Sequence, residues 1–275
     1  MNTSPTIRIG AVNYLNTKPL IYGLQRLAPS CELVLDYPSR LADQLAAGQL
    51  DVALIPSIEF FQDPTYTIVS DACIGCRGPV LSVKLFSRVP VEKIRTLALD
   101  EGSRTSAALV RILLGERFGV EPELVPLPLG ATLADTSCDA ALLIGDRAMR
   151  ASEPCAEIWD LGDEWCRWAE LPFVFAMWVA RSGTDLQGAN LQGIDQALAE
   201  ARDEGLANLQ EIARREAAPL GLTQPECISY LRDNLYFYLG ERELKGLDLF
   251  YQLARKLNLA PPGVDLGLSG CERSR

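Results

Sequence analysis

Two stretches of this chain alternate short apolar runs with helix-forming segments in the same order, and strands linked in that way can only pair in parallel under a cover of helices. The first stretch opens with Ile7-Arg8-Ile9-Gly10-Ala11-Val12, an extended apolar strand, and continues to Pro19, which suits the first turn of a helix reaching about Arg26. Glu32 to Leu35 is a second short strand. Ser39 then caps a helix carrying Leu41 and Leu45, and Gly48 ends it before the apolar run Val52-Ala53-Leu54-Ile55. After an expected strand from Val80 to Ser87, the order starts again. Thr96-Leu97-Ala98-Leu99 is a strand, Asp100 to Ser103 a loop, and Thr105 opens a helix reaching about Phe118.

The recurrence has a constant offset of 88, which carries Thr17 onto Thr105, Leu45 onto Leu133, Asp51 onto Asp139, Ala53 onto Ala141 and Leu54 onto Leu142. Two α/β lobes of common plan are therefore expected. Beyond Ala180 the pattern becomes helical, with Leu191, Ile194, Leu198, Ala201, Leu209 and Ile212 near a 3.6 spacing. A capping box, Thr223-x-x-Glu226, opens a further helix, and Leu244, Leu247, Phe250, Ala254 and Leu257 mark a last one. These helices are expected to pack on the first lobe. That divides the chain into residues 1–88 with 180–275 as one lobe and 89–179 as the other, with crossings near Ser87 to Val91 and near Val179 to Gly183. Such a hinge places a ligand cleft between the lobes.

Composition limits what that cleft can hold. Of 275 residues, 48% are apolar and 23% charged, an ordinary globular balance, and the formal charge of −10 disfavours nucleic acid and anionic membrane surfaces as partners. Residues Met1 to Thr6 lack the basic and apolar regions of an export signal, and the strongest apolar run, Leu171 to Ala180, covers about half of a membrane span. A cytoplasmic location is expected. The eight cysteines then read as thiols filling the core. Cys73-x-x-Cys76 has suggestive spacing, but a zinc site needs four ligands, and neither a second such pair nor any histidine is present. The absence of histidine also removes Ser-His-Asp and Cys-His nucleophile schemes.

Polar residues directly after the strands are the candidate ligand contacts, because ligands of open parallel sheets bind at the carboxyl ends of the strands. Asn13-Tyr14-Leu15-Asn16-Thr17 and Gly102-Ser103-Arg104-Thr105-Ser106 occupy equivalent places in the two lobes. Each puts hydroxyl or amide donors at a helix beginning, where unpaired N–H groups favour a carboxylate or phosphate. The same residues can serve simply as helix caps. Ser57, Ser82 and Asp146 also follow or lie in apolar strands facing the cleft, Asp146 having the alternative of a local ion pair with Arg147. Arg77 and Arg104 could grip a carboxylate or stay solvated.

The run Arg8-Ile9-Gly10-Ala11-Val12-Asn13-Tyr14-Leu15-Asn16-Thr17-Lys18-Pro19-Leu20 resembles the opening of the chorismate dehydratase family of the futalosine route to menaquinone. Gly78-Pro79-Val80-Leu81-Ser82-Val83, Ser103-Arg104-Thr105-Ser106 and Asp139 to Ala148 extend the resemblance over most of residues 7 to 180. It implies a type II periplasmic-binding-protein fold: two α/β lobes, a central cleft and C-terminal helices. It implies dehydration of the dicarboxylate chorismate without metal or redox cofactor, since aromatisation of the ring drives the reaction. On that likeness Asn16 and Ser82 match active-site residues, and Thr105 and Ser106 match residues that hold a carboxylate, with Thr17, Ser57, Ser103 and Asp146 as further substrate contacts. Asn cannot act as a base at neutral pH, so the enolpyruvyl carboxylate of the substrate is expected to take the proton while Asn16 holds it. Two alternatives remain. A 1,4-dihydroxy-6-naphthoate synthase of the same pathway has the same fold but is expected to use a histidine, and a non-catalytic small-anion-binding protein has the lobes without the chemistry.

Overall fold

The computed structural model describes residues 7–151, 154–181, 184, 193–264 and 266. In the first half, β1 (Ile7–Val12) pairs in parallel with both β2 (Cys31–Asp36) and β3 (Val52–Pro56). The short helix α1 (Leu24–Leu27) precedes β2, and α2 (Pro38–Ala46) joins β2 to β3, with Pro38 in its first turn and Leu41 and Leu45 fully buried. The single helix expected from Pro19 to Arg26 does not form. Leu15–Ile21 is a 3-10 turn with Pro19 inside it, and Gly23, at φ 67°, separates it from α1. Proline has no N–H for the α-helical ladder, and the left-handed glycine redirects the chain. Helix α3 (Ser57–Phe60) follows β3 directly, and β4 (Thr67–Cys76), which the alternation does not reveal, completes this half.

The second half contains β5 (Val83–Ser87), β6 (Thr96–Asp100), α4 (Arg104–Phe118), β7 (Glu123–Leu127) and β8 (Ala140–Ile144). It ends with α5 (Asp146–Arg150), β9 (Glu157–Asp160), α6 (Leu161–Ala169) and β10 (Phe173–Ala180). The C-terminal part is α7 (Ile194–Ala207), α8 (Leu209–Glu216), α9 (Gln224–Ser229), β11 (Tyr236–Tyr238) and α10 (Glu241–Lys256). The Thr223 to Glu226 capping box is formed at the start of α9.

The strands make two sheets, ordered β11-β4-β10-β3-β1-β2 and β7-β6-β8-β5-β9. Apart from β11, the two orders match strand for strand. β6 pairs in parallel with β7 and β8 as β1 does with β2 and β3, and β5 runs antiparallel to β8 and β9 as β10 does to β3 and β4. The offset of 88 read from the sequence carries β3 onto β8 residue for residue.

The duplication includes an exchange of strands that corrects the expected lobe boundaries. β5 belongs to the second sheet and β10 to the first, so the chain crosses between Cys76 and Val83 and again between Ala169 and Phe173, about one strand earlier than residues 88 and 179. An apolar run identifies a buried strand but not the sheet it joins. The expected hinges at Ser87 to Val91 and Val179 to Gly183 are displaced with the boundaries, and Gly183 itself lies outside the described residues. Ser82 therefore sits on a crossing rather than within a strand.

The C-terminal helices cover the first lobe: α7 packs on the 3-10 turn, α1 and β4, and α10 packs on β10. Leu191, expected in the same helical face, lies outside the described residues. Helix α10 also reaches the second lobe. Phe250 lies against Phe61, Phe173 and the α6 residue Trp165, and Lys256 pairs with Glu116 of α4 at 2.7 Å. Cys73 and Cys76 are buried in the core on β4.

Candidate active site

The carboxyl ends of β1, β3, β6 and β8 converge on a narrow cavity between the two sheets. Among the described residues, its lining has no charged side chain. Val12, Pro38, Pro56, Ile74, Val80, Val83, Ile144 and Phe175 make it apolar, and Asn16, Ser82, Ser103, Thr105 and Ser106 supply its polar groups beside Tyr14. Five of the expected site residues, two from the first half of the chain and three from the α4 turn, thus share one cavity.

The α4 end gathers hydroxyl and backbone donors. Ser103 caps the helix by accepting the Ser106 backbone N–H at 3.3 Å, and its own hydroxyl donates to Ser106 Oγ at 2.7 Å. That leaves the Ser106 hydrogen free to donate. Thr105 Oγ1 accepts the Ile58 N–H at 3.2 Å and lies 3.3 Å from Ser57 Oγ. Because Ser57 donates its hydrogen to the Val174 carbonyl at 2.8 Å, Thr105 is the donor of the Ser57 pair, a long bond that leaves its hydrogen open to competition from a charged acceptor. The first-turn N–H groups of Arg104 and Thr105 have no acceptor within the helix. Asp100 holds this turn against β8: it accepts the Gly102 N–H at 2.9 Å, the Ile144 N–H at 3.3 Å and the Arg147 guanidinium.

The equivalent end in the first lobe is different. Its element is a seven-residue 3-10 turn, and the N–H of Leu15, its first residue, already donates to Asp146 Oδ1 across the cleft at 3.2 Å. The expected pair of matching helix ends is therefore one helix end and one amide side chain. Asp146 does not line the cavity and is not in an ion pair with Arg147, which turns instead to Asp100. Burial raises the Asp146 carboxyl above its ordinary range, and the Leu15 N–H opposes that rise.

Thr17 and Ser57 also stand one layer behind the cavity. Thr17 is fully buried and donates to Asn16 Oδ1 at 3.3 Å, orienting that carboxamide, while Ser57 supports Thr105. Arg77 lies away from the cleft, paired with the buried Glu243 at 2.9 Å and stacked on Tyr236. Arg104 spends its guanidinium on Asp43 at 2.8 Å and Glu59 at 3.0 Å, closing the α4 end of one lobe onto α2 and α3 of the other. The Ser39 N–H donates to the Gly102 carbonyl beside it at 3.3 Å.

One residue that holds the site was not singled out from the sequence. Asp160 accepts the N–H groups of Val80 at 2.9 Å and Leu81 at 2.6 Å, and also caps α6 through Gly162 and Asp163. It thereby fixes the crossing on which Leu81 adopts φ 61° and Ser82 points into the cavity. An Asp before a helix signals a cap, but nothing local signals a partner 80 residues away.

Fold and site together define a two-lobed binding-protein-like α/β molecule, closed over a charge-free cleft whose polar groups suit a small anion. Solved structures of the same architecture include a protein of Archaeoglobus fulgidus, with TM-score 0.74, 17% identity and coverage of 92% of this chain and 98% of that one. The periplasmic aliphatic sulphonate binding protein of Escherichia coli matches with TM-score 0.62 and 17% identity over 96% of this chain and 92% of its own. The menaquinone biosynthesis family matches residues 7–256, and the chorismate dehydratase of Thermus thermophilus is 31% identical over 271 residues, 92% of this chain and 96% of the relative. The chain belongs to the chorismate dehydratase family of menaquinone biosynthesis.

Proposed function

We propose that the protein is a hydro-lyase that converts chorismate to 3-(1-carboxyvinyloxy)benzoate and water in the futalosine route to menaquinone. The observation that carries this reading is the joining of Asn16, Ser82 and the Ser103 to Ser106 turn around one cavity without charged lining. The family and the Thermus thermophilus relative support it.

In the proposed arrangement the ring carboxylate lies at the α4 end, against the Thr105 and Ser106 hydroxyls and the free first-turn N–H groups. The enolpyruvyl carboxylate lies beside the Asn16 carboxamide, which Thr17 keeps in place. That carboxylate removes the C3 proton, the C3–H electrons form the new ring double bond, and the C4 hydroxyl leaves with the C4–O electrons. The departing hydroxide and the proton combine as water. Aromatisation supplies the driving force, so the protein needs only to position the substrate and to donate hydrogen bonds to the departing oxygen, the place of the Ser82 hydroxyl. A neutral lining suits this task, because a lysine or arginine beside the enolpyruvyl group would pair with the carboxylate and weaken it as a base.

The test is to incubate the purified protein with chorismate and follow the aromatic product by proton NMR, alongside Asn16→Ala and Asn16→Asp. Product formation by the parent protein and a loss of at least about a hundredfold in kcat/KM in both variants are expected, in line with loss of a positioned polar contact at the reacting group. Chorismate binding without turnover would reassign the protein as a binder, and full activity in both variants would remove Asn16 from the mechanism.

A further inference from the structure

Among the described residues, three buried polar side-chain atoms have no hydrogen-bond partner: the hydroxyls of Ser82 and Tyr230 and the indole N–H of Trp178. Buried polar groups are nearly always bonded, so each exception calls for an explanation. Two of these three are neighbours. The Tyr230 hydroxyl reaches the Ser82 hydroxyl and the Asn16 carboxamide, and both groups oppose the rise that burial imposes on its ionisation. Neither hydroxyl, however, has settled into bonding geometry. Tyr230 also opens a π-helical stretch, Tyr230–Asn234, directly after α9. π-turns are rare and concentrate at functional sites. Asn234, at the end of this one, donates to the Pro79 carbonyl at 2.9 Å, on the same crossing that carries Ser82. One irregular turn from the C-terminal part thus holds both Tyr230 and the strand crossing beneath it.

We propose that Tyr230 is a positioning residue for the dehydration: with substrate in the cavity its hydroxyl donates to Ser82 Oγ, aiming the single Ser82 hydrogen at the departing C4 oxygen. The inference rests on the dehydration reading given above. A serine hydroxyl has one hydrogen and two lone pairs, so accepting from Tyr230 leaves its hydrogen for the substrate. A donor chain of this kind also polarises its last member, strengthening it as negative charge develops on the leaving oxygen.

The variant Tyr230→Phe keeps the ring and removes only the hydroxyl. Its kcat for chorismate is expected to fall about tenfold or more with KM changed less than about threefold, the pattern of an interaction made in the transition state. Its melting temperature should be no lower than that of the parent, because an unpartnered hydroxyl is lost. In a Ser82→Ala background the same substitution should cause no further fall in kcat. A second readout is independent of turnover. In protein labelled with 13Cζ-tyrosine, the resonance missing from Tyr230→Phe should shift on addition of chorismate and should not shift in Ser82→Ala. An unchanged kcat in Tyr230→Phe, an equal further loss in the Ser82→Ala background, or a Tyr230 resonance that chorismate leaves unmoved would overturn the inference. If the parent protein lacks turnover but the resonance shifts only when Ser82 is present, the dehydration reading fails and the Tyr230 to Ser82 coupling stands.

Discussion

At the residue scale the cavity separates side chains that line it from those that support them. Asn16, Ser82, Thr105 and Ser106 face the space, while Thr17, Ser57, Asp100 and Asp160 hold those residues from behind. Asp146 belongs to the second group with an electrostatic penalty attached, since burial raises its carboxyl pKa in the folded protein. The folded state then binds the Asp146 proton more tightly than the unfolded chain does. The contribution of Asp146 to stability is therefore most favourable below the unfolded value, near 4, and declines as pH rises through the folded value. Asp146→Asn keeps an oxygen for the Leu15 N–H and removes the ionisation, so it should gain stability relative to the parent as pH rises from about 4 to 7. Urea unfolding at a series of pH values checks this, and a parent advantage that grows with pH would contradict it. Asn16, Thr105 and Ser106 were legible because each follows an apolar strand at its carboxyl end, a position with a general meaning, whereas Ser82, expected within a strand, was legible only through the family resemblance. Asp160 and Tyr230 were not, because their roles depend on partners far along the chain.

At the element scale, one close approach sets how the lobes meet. Gly145, between β8 and α5, has φ 68°, and a Cβ placed there would lie 2.8 Å from the Tyr14 ring of the facing lobe. Gly145→Ala should lose about 1 to 3 kcal/mol to backbone strain alone, since φ 68° with ψ −157° is a conformation essentially reserved for glycine, and the double variant with Tyr14→Ala should recover activity that the single variant loses by holding the lobes apart. Denaturation and chorismate turnover on the three proteins decide this; identical turnover in the single variant and the parent would show that the contact does not govern closure. The Asp160 anchor gives a second expectation. Asp160→Ala strips an acceptor from four backbone N–H groups and should cost at least about 2 kcal/mol, together with kcat through the loosened Ser82. Strand and helix identities were largely readable from periodicity. The 3-10 turn after β1 was misread as a helix because Pro19 is equally at home in the first turn of an α-helix.

At the scale of the whole molecule the two lobes are copies that exchange one strand each, and the first of the two crossings lines the cavity through Val80 and Ser82, so a change in the angle between the lobes passes through the segment bearing Ser82. The offset of 88 made the duplication legible, but the exchange was hidden, since an antiparallel strand carries the same apolar signature in either sheet. Closure is fastened at the rim by Arg104, with its side chain 37% exposed, on Asp43, which is 64% exposed. A pair so open to solvent is worth about 0.2 to 1 kcal/mol, so Arg104→Ala should raise the KM for chorismate by no more than about fivefold. An arginine that held a substrate carboxylate directly would cost more than about tenfold, and a loss of that size would return Arg104 to the binding machinery. The most direct test of the account is a crystal structure of the protein with 3-(1-carboxyvinyloxy)benzoate bound. The account predicts the ring carboxylate on the Thr105 and Ser106 hydroxyls at the α4 end and the enolpyruvyl carboxylate beside Asn16. A product molecule seated elsewhere, or with its carboxylates paired to arginine side chains, would contradict it.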